Sequence, residues 1–227
     1  MLELKNVSKD YYEGSRKHSV LKNFELTVPE GEIIILLGKS GSGKSTLLNI
    51  ISGIDVPDSG AVKIDGTDIT KLSEKERTLT RRSKIGFIFQ FFNLIPTLTV
   101  KENLQLPLEL NNDDNQDERI ISMLTEVGLP ERADTYPDKL SGGEQQRIAV
   151  ARALIHNPDI ILADEPTGNL DYDTGLQIVD LLDRVVKKKG KTMIMVTHSR
   201  DVIGLADRIY SLREGRLTES AKGSAVE

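Results

Sequence analysis

Cysteine and tryptophan are absent from this sequence of 227 residues, and aromatic residues make up only 4% of it. The lack of cysteine excludes a disulfide framework and a thiolate metal site, and three histidines are too few for a histidine-rich metal cage. The longest aliphatic run, Ile33–Leu37, is far shorter than the roughly 20 residues that cross a bilayer. The opening residues also lack the basic and apolar stretches of a signal peptide. We therefore expect a soluble protein that, if it serves a membrane, acts from outside the lipid.

Neither sign of charge dominates, because 30 basic residues stand against 35 acidic ones, for a net charge of −5. This balance argues against a strongly basic nucleic-acid-binding protein. The hydrophobic share of 38%, with 18 glycines and 8 prolines, is ordinary for a globular chain, so disordered, collagen-like and low-complexity classes are excluded. The length is sufficient for a proper core in one or two units.

Strand and helix patterns alternate along most of the chain, which predicts an α/β fold with a mostly parallel sheet covered on both faces. Alternating segments at 2–7 and 24–28 predict N-terminal strands, and Asp65-Gly66 signals a hairpin. Residues 91–140 carry helical patterns and predict a helical insert. We further expect helices at 171–189 and 199–206, and a short polar tail after Arg216.

The segment Gly38–Ser45 fits the pattern G-x-x-x-x-G-K-[ST] and lies between an apolar strand and a helix. Glycines let backbone N–H groups converge on phosphate oxygens, and the helix N-terminus adds a partial positive charge. Lys44 is expected to reach the β- and γ-phosphates, and the Ser45 hydroxyl to bind Mg²⁺. The alternative is a glycine-rich turn that merely begins a structural helix. The residues of the loop singled out as nucleotide-binding are Gly38, Ser40, Gly41, Ser42, Gly43, Lys44 and Ser45.

A second apolar strand, at 160–163, ends in the adjacent carboxylates Asp164 and Glu165. Beside a phosphate loop, we expect Asp164 to orient Mg²⁺. Strand alternation would point Glu165 the opposite way, where it can face the γ-phosphate and position or deprotonate a water. A solvated strand end before a proline turn is the alternative.

Three polar side chains are candidates because of where they stand in the chain. His198 and Gln90 follow predicted strands, and ligands of α/β sheets bind just beyond the carboxyl ends of strands. We expect His198 to orient the attacking water and Gln90 to bind Mg²⁺ or that water; a structural histidine and a surface glutamine are the alternatives. Tyr11 can stack on a base, and Tyr12 is an equal candidate on physical grounds.

A second helix start, in the segment Leu140–Arg147, also has features of an anion site. Ser141 and Glu144 form a capping-box pattern, which is a sufficient structural explanation. Gly142-Gly143, however, is a poor helix start unless another backbone or a ligand must come close. If both phosphate-binding ends cannot reach one nucleotide within a chain, two facing chains can share two nucleotides.

Taken together, these motifs resemble the nucleotide-binding subunit of ABC transporters over essentially the whole chain. Gly38–Ser45 matches the Walker A motif, Gln90 the Q-loop, Leu140–Arg147 the signature motif, and Ile160–Asp164 with Glu165 the Walker B motif. Asn169-Leu170-Asp171 matches the D-loop, His198 the switch histidine, and Tyr11 matches the adenine-stacking aromatic better than Tyr12 does. The segments FIFQFFNLIPTLTVKENLQLPL and ILADEPTGNLD resemble the subgroup of lipoprotein-releasing, macrolide- or peptide-exporting and cell-division ATPases.

The resemblance implies a P-loop NTPase fold with a mostly parallel core sheet, an N-terminal antiparallel β-subdomain and an inserted helical subdomain. It implies a single ATP-binding domain over 1–227, with a core at 1–90 and 141–227 and the helical subdomain at 91–140. It adds Thr46 and Asp171 to the nucleotide-binding residues, and ATP and Mg²⁺ as cofactors. The implied partners are a second copy of the chain and integral membrane permease subunits, with no nucleic acid, at the cytoplasmic face of the inner membrane.

Two other functions are consistent with these motifs. One is a soluble ABC ATPase acting on DNA or ribosomes, but the segment between Gln90 and Leu140 is too short for the coiled coil of the DNA-repair members, and ribosome-acting members resemble two fused ATPase domains. The other is an ATP-dependent regulator of cell-wall remodelling at the division site. The subgroup favours export or extraction over import, and the cargo is not encoded in this chain.

Overall fold

Two β-sheets form the framework of the chain in the computed structural model, which describes residues 2–14 and 16–220. The strands, in chain order, are β1 (Leu2–Glu13), β2 (Arg16–Val28), β3 (Ile33–Leu37), β4 (Ser59–Ile64), β5 (Thr67–Asp68), β6 (Ile85–Ile88), β7 (Ile160–Asp164), β8 (Thr192–Thr197), β9 (Arg208–Arg213) and β10 (Arg216–Ser220). The α-helices are α1 (Lys44–Ile51), α2 (Glu74–Lys84), α3 (Val100–Leu110), α4 (Gln116–Glu126), α5 (Gly142–Leu154) and α6 (Tyr172–Leu182).

The larger sheet has the order β10-β9-β3-β8-β7-β6, and all of its neighbouring strands are parallel except the β10–β9 pair. Leu37 at the end of β3 pairs with Thr197 at the end of β8, and Asp164 at the end of β7 pairs with Val196. This register brings the carboxyl ends of the central strands to one edge. The mostly parallel sheet predicted from the sequence is confirmed.

Strand β3 is buried along its whole length because the sheet is covered on both faces. Ile33, Ile35 and Leu37 pack into the cluster that contains the buried residues of α3, α5 and α6. Ile34 and Leu36 point to the other face, into the cluster that contains the apolar residues of α1 and of the smaller sheet. A strand with two buried faces loses the polar alternation of a half-exposed strand, which explains its uninterrupted aliphatic sequence.

The smaller sheet is antiparallel, with the order β2-β1-β4-β5. Asp65 and Gly66 join β4 to β5 and both have positive φ angles, of 49° and 79°. That pair of angles is what a two-residue hairpin turn requires, so the predicted hairpin is confirmed.

Between β6 and α5 the chain forms α3 and α4 instead of strands, as expected for the helical insert. Among the described residues, three helices begin with a complete capping box, in which the first side chain and the acidic side chain three residues later each bind the other's backbone N–H. The pairs are Ser73 with Glu76, Thr99 with Glu102, and Ser141 with Glu144. No helix within the two described ranges combines the length and the apolar character that a bilayer crossing needs.

Several sequence-based boundaries are wrong, each for a local reason. Strand β1 extends to Glu13, beyond the predicted end at residue 7, and β2 begins at Arg16. Three register shifts between the two strands interrupt the alternation of apolar and polar residues from which their lengths were predicted.

The C-terminal third of the chain also departs from expectation. The helix predicted at 171–189 leaves α-geometry at Asp183, where a π-helical turn runs to Lys187, and the one predicted at 199–206 is a 3₁₀ turn at Asp201–Leu205. The expected polar tail after Arg216 is strand β10 up to Ser220, paired with β9. Strand β10 lies at the edge of the sheet, where polar residues are common, so its sequence lacks an apolar strand signature. The rest of the predicted tail lies outside the described residues.

Candidate active site

A cavity of about 620 Å³ opens at the edge where the strands β3, β7 and β8 end, and we call it the first cavity. Eleven residues predicted from the sequence line it: Tyr11, Ser40, Gly41, Gly43, Lys44, Ser45, Thr46, Gln90, Asp164, Glu165 and His198. Val20 and Lys39, which the sequence did not single out, line it as well. Of the two tyrosines considered, Tyr11 lies in this lining, whereas Tyr12 is 69% exposed.

The loop between β3 and α1 depends on glycine at two positions. Gly41 and Gly43 have φ angles of 77° and 97°, which strain any other residue. A Cβ atom at Gly43 would lie 2.6 Å from Cγ1 of Val20. Gly43 is also the N-cap of α1 and provides no side-chain cap, so the first N–H groups of the helix have no side-chain acceptor there. The loop therefore presents backbone donors to an anion.

Gly38 and Ser42 lie on the other side of this loop. They line a neighbouring cavity of about 390 Å³ together with Lys39, His198 and Arg213. A Cβ atom at Gly38 would lie 2.6 Å from Oγ of Ser42 and 3.0 Å from the carbonyl oxygen of Leu212. Gly38 and Ser42, both predicted to bind nucleotide, therefore lie on the side of the loop that faces this neighbouring cavity, and neither lines the first cavity.

Lys44 is buried, and its ammonium group lies inside the loop. Nζ donates to the carbonyl oxygens of Gly38, at 2.8 Å, and Lys39, at 3.2 Å, and lies 3.5 Å from Oε1 of Glu165. The first helical residue thus places its positive charge between the phosphate loop and the carboxylate at the end of β7.

Glu165 is a buried carboxylate held by the end of strand β8. Its Oε2 accepts hydrogen bonds from Oγ1 of Thr197, at 2.8 Å, and from the backbone N–H of His198, at 3.1 Å. Its Oε1 lies 3.0 Å from Nδ1 of His198. The prediction that strand alternation directs this side chain is wrong, because β7 ends at Asp164 and Glu165 adopts a left-handed φ of 46°.

Asp164, Ser45 and Gln90 form an oxygen-rich side of the first cavity. Burial raises the pKa of Asp164, and the charge of Glu165 acts in the same direction, while the hydrogen bond from Ser45 opposes both. Nε2 of Gln90 lies 3.4 Å from Oδ1 of Asn169, and the amide of Asn169 donates to the carbonyl oxygen of Gln90 at 2.8 Å.

These oxygen donors fit Mg²⁺, because this hard cation is usually held by one or two carboxylates together with phosphate oxygens and water. A cation at this position would also offset the cost of desolvating the carboxylate of Asp164. In the part of the chain that the structure describes, no cluster of three or more histidine, aspartate or glutamate residues is arranged to hold a metal unaided.

Another cavity, also of about 390 Å³, contains the other predicted anion site, and we call it the second cavity. It is separate from the first cavity and from the one lined by Gly38 and Ser42. The predicted residues that line it are Ser141, Gly142, Gly143 and Asp171. A Cβ atom at Gly143 would lie 2.6 Å from Cγ2 of Thr174, so packing against α6 already requires glycine there, whereas the same test at Gly142 gives ordinary contacts of 3.6 Å or more. One chain therefore contains two separate sets of candidate phosphate-binding residues.

The side chains of the second cavity also serve the fold. Ser141 completes the capping box of α5, and its hydroxyl lies 2.9 Å from Oε2 of Glu144. Asp171 caps α6, because its carboxylate accepts from the backbone N–H of Thr174 at 3.0 Å. Asn169 also lines the second cavity, and its hydrogen bond to the backbone of Gln90 connects the second cavity to the first.

Sequence reasoning missed Thr197, which is fully buried and holds Glu165. A threonine as the last residue of an apolar strand has no distinguishing pattern. Its role depends on the pairing of β8 with β7, which places it beside a residue 32 positions earlier in the chain.

The sheet order, the glycine-rich loop between β3 and α1, and the acidic end of β7 together define the P-loop class of nucleotide hydrolases. The family model for the ABC transporter matches residues 21–168. The chain belongs to the ABC transporter family, in which it is an ATP-binding subunit with ATPase activity. The resemblance stated from the sequence motifs is thereby confirmed.

Similar proteins agree with this assignment. An ABC transporter ATP-binding protein of Mycobacterium tuberculosis is 51% identical over 219 residues, which cover 96% of this chain and 88% of that protein. The macrolide export ATP-binding/permease protein MacB of Syntrophobacter fumaroxidans is 43% identical over 219 residues, which cover 95% of this chain and 31% of that protein. An ATP-binding cassette of Methanocaldococcus jannaschii, solved as a dimer in a post-hydrolysis state with ADP and Pi, is 44% identical, with a TM-score of 0.90 over 99% of this chain and 100% of that one.

Proposed function

We propose that two copies of this chain close head to tail around two ATP molecules bound with Mg²⁺. Each nucleotide would lie between the first cavity of one copy and the second cavity of the other. The observation that carries this proposal is the placement of the two candidate phosphate-binding sets in separate cavities of one chain. The dimeric form of the 44% identical cassette supports it.

Within one copy, the first cavity would bind most of the nucleotide. Tyr11 stacks on the base, and the backbone of the loop from Gly38, with Lys44 and Thr46, holds the phosphates. Ser45, Asp164 and Gln90 would hold Mg²⁺, which neutralises charge on the phosphate oxygens when it is bound. From the facing copy, Ser141, Gly142, Gly143 and Asp171 complete the site.

Hydrolysis would depend on the carboxylate at the end of β7. Glu165 accepts a proton from the attacking water, and His198 orients that water. The hydrogen bonds from Thr197 and from the backbone of His198 fix one oxygen of the carboxylate, so the other faces Nδ1 of His198 and Lys44. Gln90 lines the same cavity, and its amide would bind Mg²⁺ or the attacking water.

Closure of the dimer would act on integral membrane permease subunits through residues 91–110, at the cytoplasmic face of the membrane. This segment exposes large apolar side chains, including Phe91 at 72% and Leu110 at 54%, which suits a protein contact. It is also firmly held. Asn103, fully buried, bonds the backbone of Ile95 through both of its amide atoms, and Arg152 donates to the carbonyl oxygen of Phe92 at 3.0 Å. A rigid apolar surface can transmit movement to a partner.

The transport step itself would be export, extraction or the transmission of force, with a lipoprotein, peptide or macrolide-like cargo. The name of MacB, a macrolide export protein, supports transport over regulation of cell-wall remodelling. We divide the single domain into a core at 1–90 and 141–227 and a helical subdomain at 91–140, and we propose no nucleic-acid partner.

The experiment compares the wild-type protein with the Glu165→Gln variant in analytical ultracentrifugation and in a phosphate-release assay. We expect the variant to lose turnover and to dimerise when MgATP is added, because the site still binds nucleotide but lacks its base. A variant that stays monomeric at high protein concentration with saturating MgATP would contradict the shared site. Undiminished hydrolysis would contradict the role of Glu165.

Mixing of two inactive variants tests the head-to-tail arrangement separately. Lys44→Ala removes the phosphate-loop charge, and Gly142→Asp places a negative charge in the second cavity at a position where a side chain meets only ordinary contacts. In a mixed dimer one nucleotide site receives both changes and the other receives neither. We therefore expect the mixture to regain MgATP-dependent dimerisation, whereas each variant alone stays monomeric.

Copurification of the wild-type chain with its permease tests the membrane partner. We expect the Phe91→Ser variant to lose that contact.

A further inference from the structure

Tyr11 is held in place by a hydrogen bond of its hydroxyl group. The residue is 42% exposed, so packing alone does not fix the plane of the ring. Its Oη donates to Oδ2 of Asp55 at 2.7 Å. Asp55 lies in the turn after α1. The ring is therefore tied to the segment that follows the C-terminal end of α1.

Asp55 binds a second group beneath the same ring. Its Oδ1 accepts from Nζ of Lys9 at 2.7 Å and from the backbone N–H of Val56 at 2.7 Å. Nζ of Lys9 also donates to the carbonyl oxygen of Val56 at 2.8 Å and lies 5.2 Å from the centroid of the Tyr11 ring. One carboxylate thus fixes the hydroxyl of the tyrosine and the cation on one face of its ring.

The carboxylate is ionised at neutral pH. Burial acts to raise the pKa of Asp55, but the hydrogen bonds from Lys9, Tyr11 and Val56 outweigh it and hold the pKa below its ordinary value. The ammonium of Lys9 attracts the electron-rich face of the ring. With one face occupied by Lys9, the opposite face is the one left for a nucleotide base.

We propose that Asp55 is a positioning residue for the base of the nucleotide, because it orients the Tyr11 ring before the nucleotide binds. The inference rests on the proposed function, in which Tyr11 stacks on the base. Ring and phosphate loop are joined through α1, so the spacing between the base and the phosphates is set in advance. A ring that is already ordered loses less conformational freedom when the base binds. Such ordering raises affinity roughly 2- to 12-fold per side chain.

Binding of ADP and of inorganic pyrophosphate, each with Mg²⁺, provides the test, measured by isothermal titration calorimetry on the full chain. The two ligands differ by the adenosine group, and ADP is not turned over. The ratio of the pyrophosphate dissociation constant to the ADP dissociation constant therefore isolates the contribution of adenosine, and it falls when the binding of adenosine weakens. We expect Asp55→Ala to weaken ADP binding roughly 2- to 12-fold and to leave pyrophosphate binding unchanged.

Three further variants separate positioning from a general effect on the fold. Asp55→Asn keeps the shape but not the charge, and we expect the same direction of change. Tyr11→Phe keeps the ring and removes its hydroxyl, so combining it with Asp55→Ala should cause little further loss. Asp58→Asn is the matched control, because Asp58 lies in the same turn and binds the backbone N–H of Asp10 at 2.6 Å. We expect it to leave the ratio unchanged.

The outcomes distinguish this inference from the proposal on which it rests. Equal weakening of ADP and pyrophosphate by the Asp55 variants, or no weakening, overturns the positioning role. The same change in the ratio for Asp58→Asn assigns the effect to the turn as a whole and also overturns it. If Tyr11→Ala leaves the ratio unchanged, the stacking role of Tyr11 fails. If Tyr11→Ala lowers the ratio and Asp55→Ala does not, stacking stands and the inference about Asp55 fails.

Discussion

Replacing Thr197 with valine removes one hydroxyl group at the centre of the site without changing the shape of the side chain. Thr197 is fully buried at the end of β8. Its Oγ1 donates to Oε2 of Glu165 at 2.8 Å and accepts from the backbone N–H of Ser199 at 3.0 Å. The substitution therefore deletes a hydrogen bond to a carboxylate and a hydrogen bond from a backbone amide.

The expected cost follows from these two contacts. A hydrogen bond to a charged group contributes about 1.5–3 kcal/mol and a neutral one about 0.5–1.5 kcal/mol. The carboxylate of Glu165 keeps the N–H of His198, so it does not lose every donor. We therefore expect Thr197→Val to lower the free energy of unfolding by about 3 kcal/mol.

Urea unfolding of the nucleotide-free protein measures this change. Because the chain has no tryptophan, far-ultraviolet circular dichroism is the suitable signal. With a denaturant slope of about 3 kcal/mol per molar, the midpoint should fall by about 1 M. The matched control is Thr197→Ser, which keeps the hydroxyl and loses a buried methyl group at a cost of about 1 kcal/mol. If the two variants lose equal stability, the hydroxyl does not hold the carboxylate as described.

Three other substitutions test single features of the structure. Asp164→Asn should raise stability at pH 7, because burial raises the pKa of Asp164 in the folded state and its ionisation therefore costs stability as the pH rises above about 3.9. Burial lowers the pKa of His156 in the folded state, so the wild-type protein loses stability as the pH falls below about 6.5, where the unfolded state binds a proton more readily. His156→Phe removes this group, and we expect a smaller loss of stability between pH 7 and pH 5. Ser141→Ala should cost about 1 kcal/mol by opening the capping box of α5, and should also weaken MgATP-dependent dimerisation.

Urea midpoints at several pH values measure the first two effects, and the denaturant series at pH 7 with ultracentrifugation measures the third. For Asp164→Asn the gain should disappear towards pH 4, so a constant gain would contradict a protonation effect. A stability slope for His156→Phe as steep as that of wild type would show that other groups cause it. Ser73→Ala opens an equivalent capping box on α2, so it should cost similar stability and leave dimerisation unchanged.

The phosphate loop and the capping boxes were predictable because their rules are local. Gly43 is needed at a left-handed position that a neighbouring valine crowds, and the pattern G-x-x-x-x-G-K-[ST] records that need within eight residues. Ser141 and Glu144 meet because helical geometry places positions three residues apart side by side. The alternation of strands and helices likewise indicated a parallel sheet before any pairing was known.

The parts that escaped sequence reasoning depend on pairing between distant segments. The orientation of Glu165 follows from a left-handed backbone after β7 and from Thr197 on the neighbouring strand, and neither has a sequence signature. Strand β10 was not predicted because its identity comes from β9, to which it pairs at the sheet edge. Gly143 has a packing reason, contact with Thr174 of α6, that the sequence pattern alone did not separate from a ligand role.

By itself, the sequence determined which residues are candidates for ATP chemistry and the order in which they occur, because spacing rules for loops and helix starts act within a few residues. Only the tertiary structure decided how those residues are divided between the first and the second cavity, and which groups hold Glu165 and Tyr11 in place. Those relations join residues far apart in the chain. They are set by the register of the sheet and by burial, which no local pattern contains.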